Sequence, residues 1–263
     1  MDLYNMIAGL TVGLLVGVTG VGGGSLMAPI LILLLGVAPI TAVGTDLWFA
    51  AITKSVGGFI HHRHRGTDGG PDFQIVRRLC AGSLPAAAVT LWLLARTDTQ
   101  SIKGGLILHL LGAVLLLTAA ATLVRPHMQR AALRFRAYST VDLHRLQTPM
   151  TVVAGALLGV MVTLTSVGAG ALGAVMLFGL YPLRLTTRKL VATDIVHAVP
   201  LTLVAGLGHL SLGNVNAPLL GGLLLGSIPG IIAGSLFASR ASDRLLRPLL
   251  ALVLVITGAR LLV

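Results

Sequence analysis

The stretch GVTGVGGGSL (Gly17–Leu26) places five glycines in the eight positions from Gly17 to Gly24, inside an otherwise apolar segment. Each glycine in a helix interior costs roughly 1 kcal/mol relative to alanine. The run therefore predicts a broken helix. Non-helical backbone deep in a bilayer is tolerated only where protein buries it or water lines it, so a break here needs a reason.

The remainder of the chain supplies the bilayer setting. Mean hydropathy is +0.93 and only 10% of the residues are charged. Apolar runs recur at 6–19, 25–35, 43–60, 79–95 and 104–124, and again at 149–165, 171–181, 190–208, 217–238 and 245–263. They are continuous rather than alternating, which predicts an all-α polytopic membrane protein and not a barrel. The opening MDLYNMIAGL (Met1–Leu10) has no basic region and no small-residue cleavage site, so no removable signal peptide is expected. A single cysteine, Cys80, excludes an intramolecular disulfide and a cysteine-based metal site. The net charge of +11 comes from Lys and Arg lying between apolar segments. Such residues set topology and meet lipid headgroups, so nucleic acid is not an expected partner.

The glycine motif has a copy. TGVGGGSL (Thr19–Leu26) aligns with TSVGAGAL (Thr165–Leu172), five of eight identical at an offset of 146. VGTDL (Val43–Leu47) aligns with VATDI (Val191–Ile195) at 148, and GSLP (Gly82–Pro85) with GSIP (Gly226–Pro229) at 144. The expected organisation is a first repeat over 1–124, a basic linker over 125–148 and a second repeat over 149–263. The linker has two readings, an amphipathic helix on the membrane surface or a plain tethering loop, of which the loop is preferred.

Loop charge relates the two copies. Arg63, Arg65, Arg77 and Arg78 follow the third segment, Arg125, Arg130, Arg134, Arg136 and Arg145 lie in the linker, and Arg184, Arg188 and Lys189 precede VATDI. The connections 36–42 and 209–216 have no Lys or Arg. With the basic loops, including 125–148, in the cytoplasm, the loop before VGTDL lies outside and its counterpart before VATDI inside. The repeats are thus expected to be inverted in a multi-pass protein of the cytoplasmic membrane. The first two segments of each half form either a re-entrant hairpin with its tip at the glycines, or a full crossing followed by a half-helix. Both give the loops the same sidedness.

Paired, inverted helix breaks are a sequence pointer to a transport site near the midplane. A short helix starting after Gly24 or Gly170 presents unpaired N–H groups and the positive end of its dipole, which favour an anion. Gly20, Gly22, Gly23, Gly24 and Ser25 form the first candidate lip. Thr165, Ser166, Gly168, Ala169 and Gly170 form the second. A lone glycine cluster more often serves close helix packing; the duplication favours a site.

The motif GVTGVGGGSLMAP (Gly17–Pro29), the following AVGTDL (Ala42–Leu47) and HHRHRG (His61–Gly66) resemble the sulfite exporter TauE/SafE family along the whole chain. That resemblance implies an all-helical inverted-repeat fold and transport of small anions, often sulfur-containing, such as sulfite and sulfonates. The second half departs from the pattern, with Ala169 in place of Gly23 and no proline matching Pro29.

Ionisable groups inside a membrane are costly and so mark candidate functional positions. Asp46 and Asp194 occupy matched positions after Thr45 and Thr193. Two readings stand: helix-start carboxylates, or groups that carry a proton or balance charge beside the anion. Lys54 is expected to face the interior, binding the anion or pairing with an aspartate, rather than snorkelling. His197 shares a helical face with Asp194. A coupling role there competes with plain packing, since its first-half counterpart is Phe49. His61 and His64 are spaced like ligands, but no second cluster accompanies them, so no metal or other cofactor is expected.

The expected function is alternating-access transport of small anions, with protons as a candidate coupling partner. An uncoupled monoanion would be driven outward by about 2.3 kcal/mol per 100 mV, which favours export. An anion channel is the alternative. A hydrolase using Ser25 or Ser166 would need a base and an oxyanion site, and the sequence offers no such arrangement; the protein is not expected to be an enzyme.

Overall fold

The computed structural model describes residues 3–19, 24–63, 70–97, 100–135, 144–182, 184–237 and 243–262. They form ten helices: α1 (Leu3–Thr19), α2 (Gly24–Leu33), α3 (Pro39–Arg63), α4 (Phe73–Arg96), α5 (Gln100–Phe135), α6 (His144–Thr165), α7 (Ala171–Leu180), α8 (Thr187–Ser211), α9 (Ala217–Phe237) and α10 (Asp243–Leu262). Five contain stretches long and apolar enough to cross a membrane, in α4, α5, α6, α8 and α9. Large apolar side chains such as Trp92, Leu93, Leu117, Leu252 and Ile256 remain exposed, as a lipid-facing surface requires.

The linker differs from the expected loop. α5 continues through Arg125 to Phe135, and α6 resumes at His144. Nothing in Arg125–Phe135 except Pro126 opposes helix, and the run is rich in Ala, Leu and Arg, which are strong helix formers. The start of α4 also lies earlier than hydropathy suggested. Asp72 caps it, accepting from the Ile75 amide at 3.2 Å; the polar first turns had hidden that start.

α3 and α8 form the centre. They run antiparallel, with Gly44 against Asn214 and His209, Trp48 Nε1 donating to the Gly206 carbonyl at 2.9 Å, and Gly58 against Ile195. Around them the main partnerships cross between the halves. α1 packs on α9, α4 on α6, and α5 on α10. The first two pairs are parallel and glycine-lined. Gly9 and Gly13 lie on Leu223 and Ser227, while Gly155 and Gly159 lie on Leu79 and Ser83. Backbone contact of this kind replaces the hydrophobic drive that lipid cannot provide.

At Gly82 an added methyl group would run into the Val152 carbonyl and the Ala156 amide. Gly82→Ala is therefore expected to destabilise the protein despite alanine's better helix propensity. Overpacking costs about 1–3 kcal/mol, lowering the melting temperature in detergent by roughly 2–8 °C for a chain of this size. An unchanged or raised melting temperature would contradict this packing.

Two further contacts match across the halves. The Asp72 amide donates to Thr193 Oγ1 at 2.9 Å, joining the start of α4 to α8. The Asn216 amide donates to Thr45 Oγ1 at 3.0 Å, joining the start of α9 to α3. Asn216 also accepts from the Leu219 amide at 3.1 Å, as Asp72 does from Ile75. These bonds place the α3–α4 connection beside the α7–α8 connection at one end of the molecule. The α2–α3 and α8–α9 connections share the other end.

α7 turns back along α6. Gln147 Nε2 donates to the Leu180 carbonyl at 3.1 Å, and Thr151 Oγ1 lies 2.7 Å from the Tyr181 hydroxyl. The two helices form a hairpin whose ends meet. α6 is long and apolar enough to cross a membrane, whereas α7, with ten residues, is about 15 Å long, half the ~30 Å hydrocarbon core of a bilayer.

Candidate functional site

The tip of the α6–α7 hairpin is built on unusual backbone. Ser166 has φ 58°, Gly168 φ 126° and Gly170 φ 135°. Glycine adopts the last two without steric cost, whereas Ser166 is held there by its amide, bonded to the Val162 carbonyl at 2.7 Å. Thr165 locks the turn. Its hydroxyl donates to the Met161 carbonyl at 2.6 Å and accepts from the Val167 amide at 3.2 Å. That hydroxyl belongs to the turn, leaving Ser166 as the residue with a spare one. Among the described residues the buried Ser166 Oγ has no hydrogen-bond partner. Gly170 caps α7 without a side-chain bond.

Lys54 reaches this tip from α3. It is buried, and its ammonium donates to the Ala169 carbonyl at 3.2 Å. It lies within electrostatic reach of both Asp194 and Asp46. Neither aspartate is a cap, since each is the eighth residue of its helix and buried. Asp46 is fully buried, facing the Ser166 hydroxyl and the Ala28 amide. Neither completes a hydrogen bond, so among the described residues both Asp46 oxygens are unpartnered. Asp194 lies over the first turn of α7, where a methyl group added to Gly173 would meet its Oδ1 at 2.5 Å. The carboxylates thus stand beside the N-terminal turns of the two short helices, where negative charge is favoured.

Thr45 and Thr193 face elsewhere. Their hydroxyls accept from the cap amides of Asn216 and Asp72, and the Thr193 hydroxyl donates to the Lys189 carbonyl at 2.7 Å. They tie helix starts together one residue before the aspartates. His197 is buried, within 2.9 Å of Ser83 Oγ through Nε2. Its Nδ1 meets no partner among the described residues. His209 is bonded to the Thr163 carbonyl at 2.9 Å, satisfying the last turn of α6.

Gly20, Gly22 and Gly23 lie outside the described residues, as do His64 and the side chains of Ser25 and His61. Gly24 begins α2, one turn before Ala28. The start of α2 therefore lies close to Asp46. Among the described residues no three His, Cys, Asp or Glu side chains gather as metal ligands do.

Ser83, Asp72, Asn216 and Arg184 were not foreseen. Arg184 holds Asp72 with Nε at 2.6 Å and Nη2 at 3.0 Å, and donates to Gln74 Oε1 at 2.7 Å. The Asp/Asn caps before matched apolar helices were available signals. The ion pair was not, because its partners are 112 positions apart.

The Arg184 side chain is 43% exposed. Arg184→Gln is accordingly expected to cost less than about 1 kcal/mol. Asp72→Ala, which also removes the α4 cap, should cost about 1–2 kcal/mol. Paired melting curves check this ranking, and equal losses would reject it.

Comparison with known proteins places these features in context. Residues 5–261 match the family model described as Sulfite exporter TauE/SafE. The chain is 36% identical over 263 residues, covering 100% of both chains, to the probable membrane transporter protein YjnA of Bacillus subtilis (strain 168). It is 26% identical over 250 residues to the probable membrane transporter protein YdhB of the same organism, covering 95% of this chain and 96% of that one. No solved structure matches.

Proposed function

Because the chain belongs to the sulfite exporter TauE/SafE family, we propose that it carries small anions, sulfur-containing ones such as sulfite or sulfonates foremost, through the cytoplasmic membrane. The observation that carries the reading is the buried Lys54 ammonium at the Ala169 carbonyl, beside the unpartnered Ser166 hydroxyl. A buried cation and a spare donor, set at the start of a short helix, suit an anion held by charge-assisted hydrogen bonds. Lys54, Ser166 and the backbone from Gly168 to Gly170 form the second lip. Gly20 to Ser25 form the first.

The two lips are inverted copies. Supporting this are the matched bonds Asp72–Thr193 and Asn216–Thr45, the crossed partnerships α1–α9 and α4–α6, and the antiparallel α3 and α8. Two lips presented from opposite sides near the midplane would permit alternating access by rocking one half against the other. The end holding Arg184, Asp72, Arg77 and Arg78 faces the cytoplasm. If the anion moves alone, the membrane potential drives it outward, as export requires.

Flux of sulfite, sulfate, methanesulfonate and acetate from proteoliposomes tests the function. The expected result is protein-dependent flux that saturates with concentration. Flux without saturation would indicate a channel, and no flux of any anion would reject the reading.

A further inference from the structure

We propose that each monoanion bound at this centre is accompanied by one proton carried on Asp46, so that anion and proton cross together with no net charge. The proposal rests on the anion site just described and deepens it.

At formal charge Lys54 contributes one positive charge, and Asp46 and Asp194 one negative charge each, so the empty centre carries −1. An arriving anion would raise this to −2. Repulsion between like charges is far stronger in a water-excluded site than in water. The carboxylates also already occupy the starts of α2 and α7, the places that would draw the anion. A proton taken up with each monoanion keeps the centre at −1: Lys54 positive, Asp46 neutral, Asp194 negative and the anion negative. Empty and loaded states then cost the membrane the same.

Asp46 is the better acceptor. It is 0% exposed, and its oxygens have no hydrogen-bond donor among the described residues. A carboxylate held by donors resists protonation, whereas one without them takes up a proton readily once a second negative charge is brought beside it. Beside it are Lys54 on its own helix and Ser166 at the hairpin tip; Asp194 and His197 of α8 lie about Lys54, and His209 of α8 packs at Gly44. α2 and α9 contain no titratable side chain, and the described histidines of α5, His109 and His127, are exposed. A proton on Asp46 also turns its hydroxyl into a donor beside Ser166.

One consequence separates this from uncoupled export. A neutral proton–anion pair gains nothing from the membrane potential, so the pH gradient and the anion gradient set the direction.

The test uses the full chain in proteoliposomes with a pH dye trapped inside and methanesulfonate or nitrate outside. Both anions stay ionised, whereas sulfite and carboxylates carry protons of their own. Anion entry is expected to acidify the lumen by about one proton per anion. A one-unit pH step, acid outside, should accumulate the anion about tenfold, and a potassium–valinomycin potential should leave that accumulation unchanged. Flux without acidification, or accumulation that follows the potential, overturns the proposal and leaves the anion site standing. No flux of either anion overturns both. Asp46→Asn should lose the pH-driven accumulation and Asp46→Glu should retain it. An Asn variant that still accumulates anion with the pH step removes Asp46 from the role. The wild-type measurement stands whether or not the variants fold.

Discussion

Lys54→Met is expected to abolish anion transport while leaving the helices in place. Lys54 is 6% exposed and its ammonium is bonded to the hairpin tip. Removing one member of a buried, hydrogen-bonded charge cluster costs about 3–5 kcal/mol, roughly two to three and a half orders of magnitude in affinity. Here the loss is compounded, because Asp46 and Asp194 are left with no cation between them. An anion would then enter a centre carrying two negative charges. Lys54→Arg keeps the charge and should retain measurable flux at reduced affinity, because a planar guanidinium does not fit a site shaped for a compact ammonium. Flux into proteoliposomes, with detergent chromatography to confirm a folded protein, reads the outcome. Wild-type flux from a folded Lys54→Met variant would reject the site.

The second large effect is expected at Gly170, where φ is 135° and ψ −94°. No residue with a Cβ is at ease there, and a β-branched one least of all. Gly170→Val should cost about 1–3 kcal/mol in strain. The cheapest relief is a rearranged turn, which would carry the neighbouring Ala169 carbonyl away from Lys54. Transport should fall by an order of magnitude or more, and the melting temperature should fall by roughly 2–8 °C. Gly105→Val is the control, since an added methyl group there meets nothing within 4 Å. If both variants behave alike, the strained turn has no special part in transport.

Hydropathy and loop charge made the helices legible because each apolar run is a local property of the chain. The matched motifs pointed to Asp46, Asp194 and the two glycine lips because duplication leaves letters behind. The helix-start reading of the aspartates failed for a physical reason. Pro39 and Thr186, several residues earlier, begin or cap those helices, so the carboxylates fall two turns inside. The threonines beside them, Thr45 and Thr193, bond the caps of α9 and α4, partners that only the folded chain supplies. The same holds for Ser83 with His197 and for Arg184 with Asp72, where no spacing in the sequence announces the pair. The glycines at 9, 13, 82, 155 and 159 carry no spacing in the sequence that names their partners. Their role in crossing α1 onto α9 and α6 onto α4 emerges from packing.

The central claim is that an anion sits between Lys54 and the tip of the α6–α7 hairpin. Locating a bound selenium-containing anion, selenite, by its anomalous scattering in crystals of the protein tests this most directly. The predicted result is a peak within hydrogen-bonding reach of Lys54 Nζ and Ser166 Oγ, absent from Lys54→Met crystals. A peak elsewhere in the helical core, or one that persists in Lys54→Met, would contradict the account.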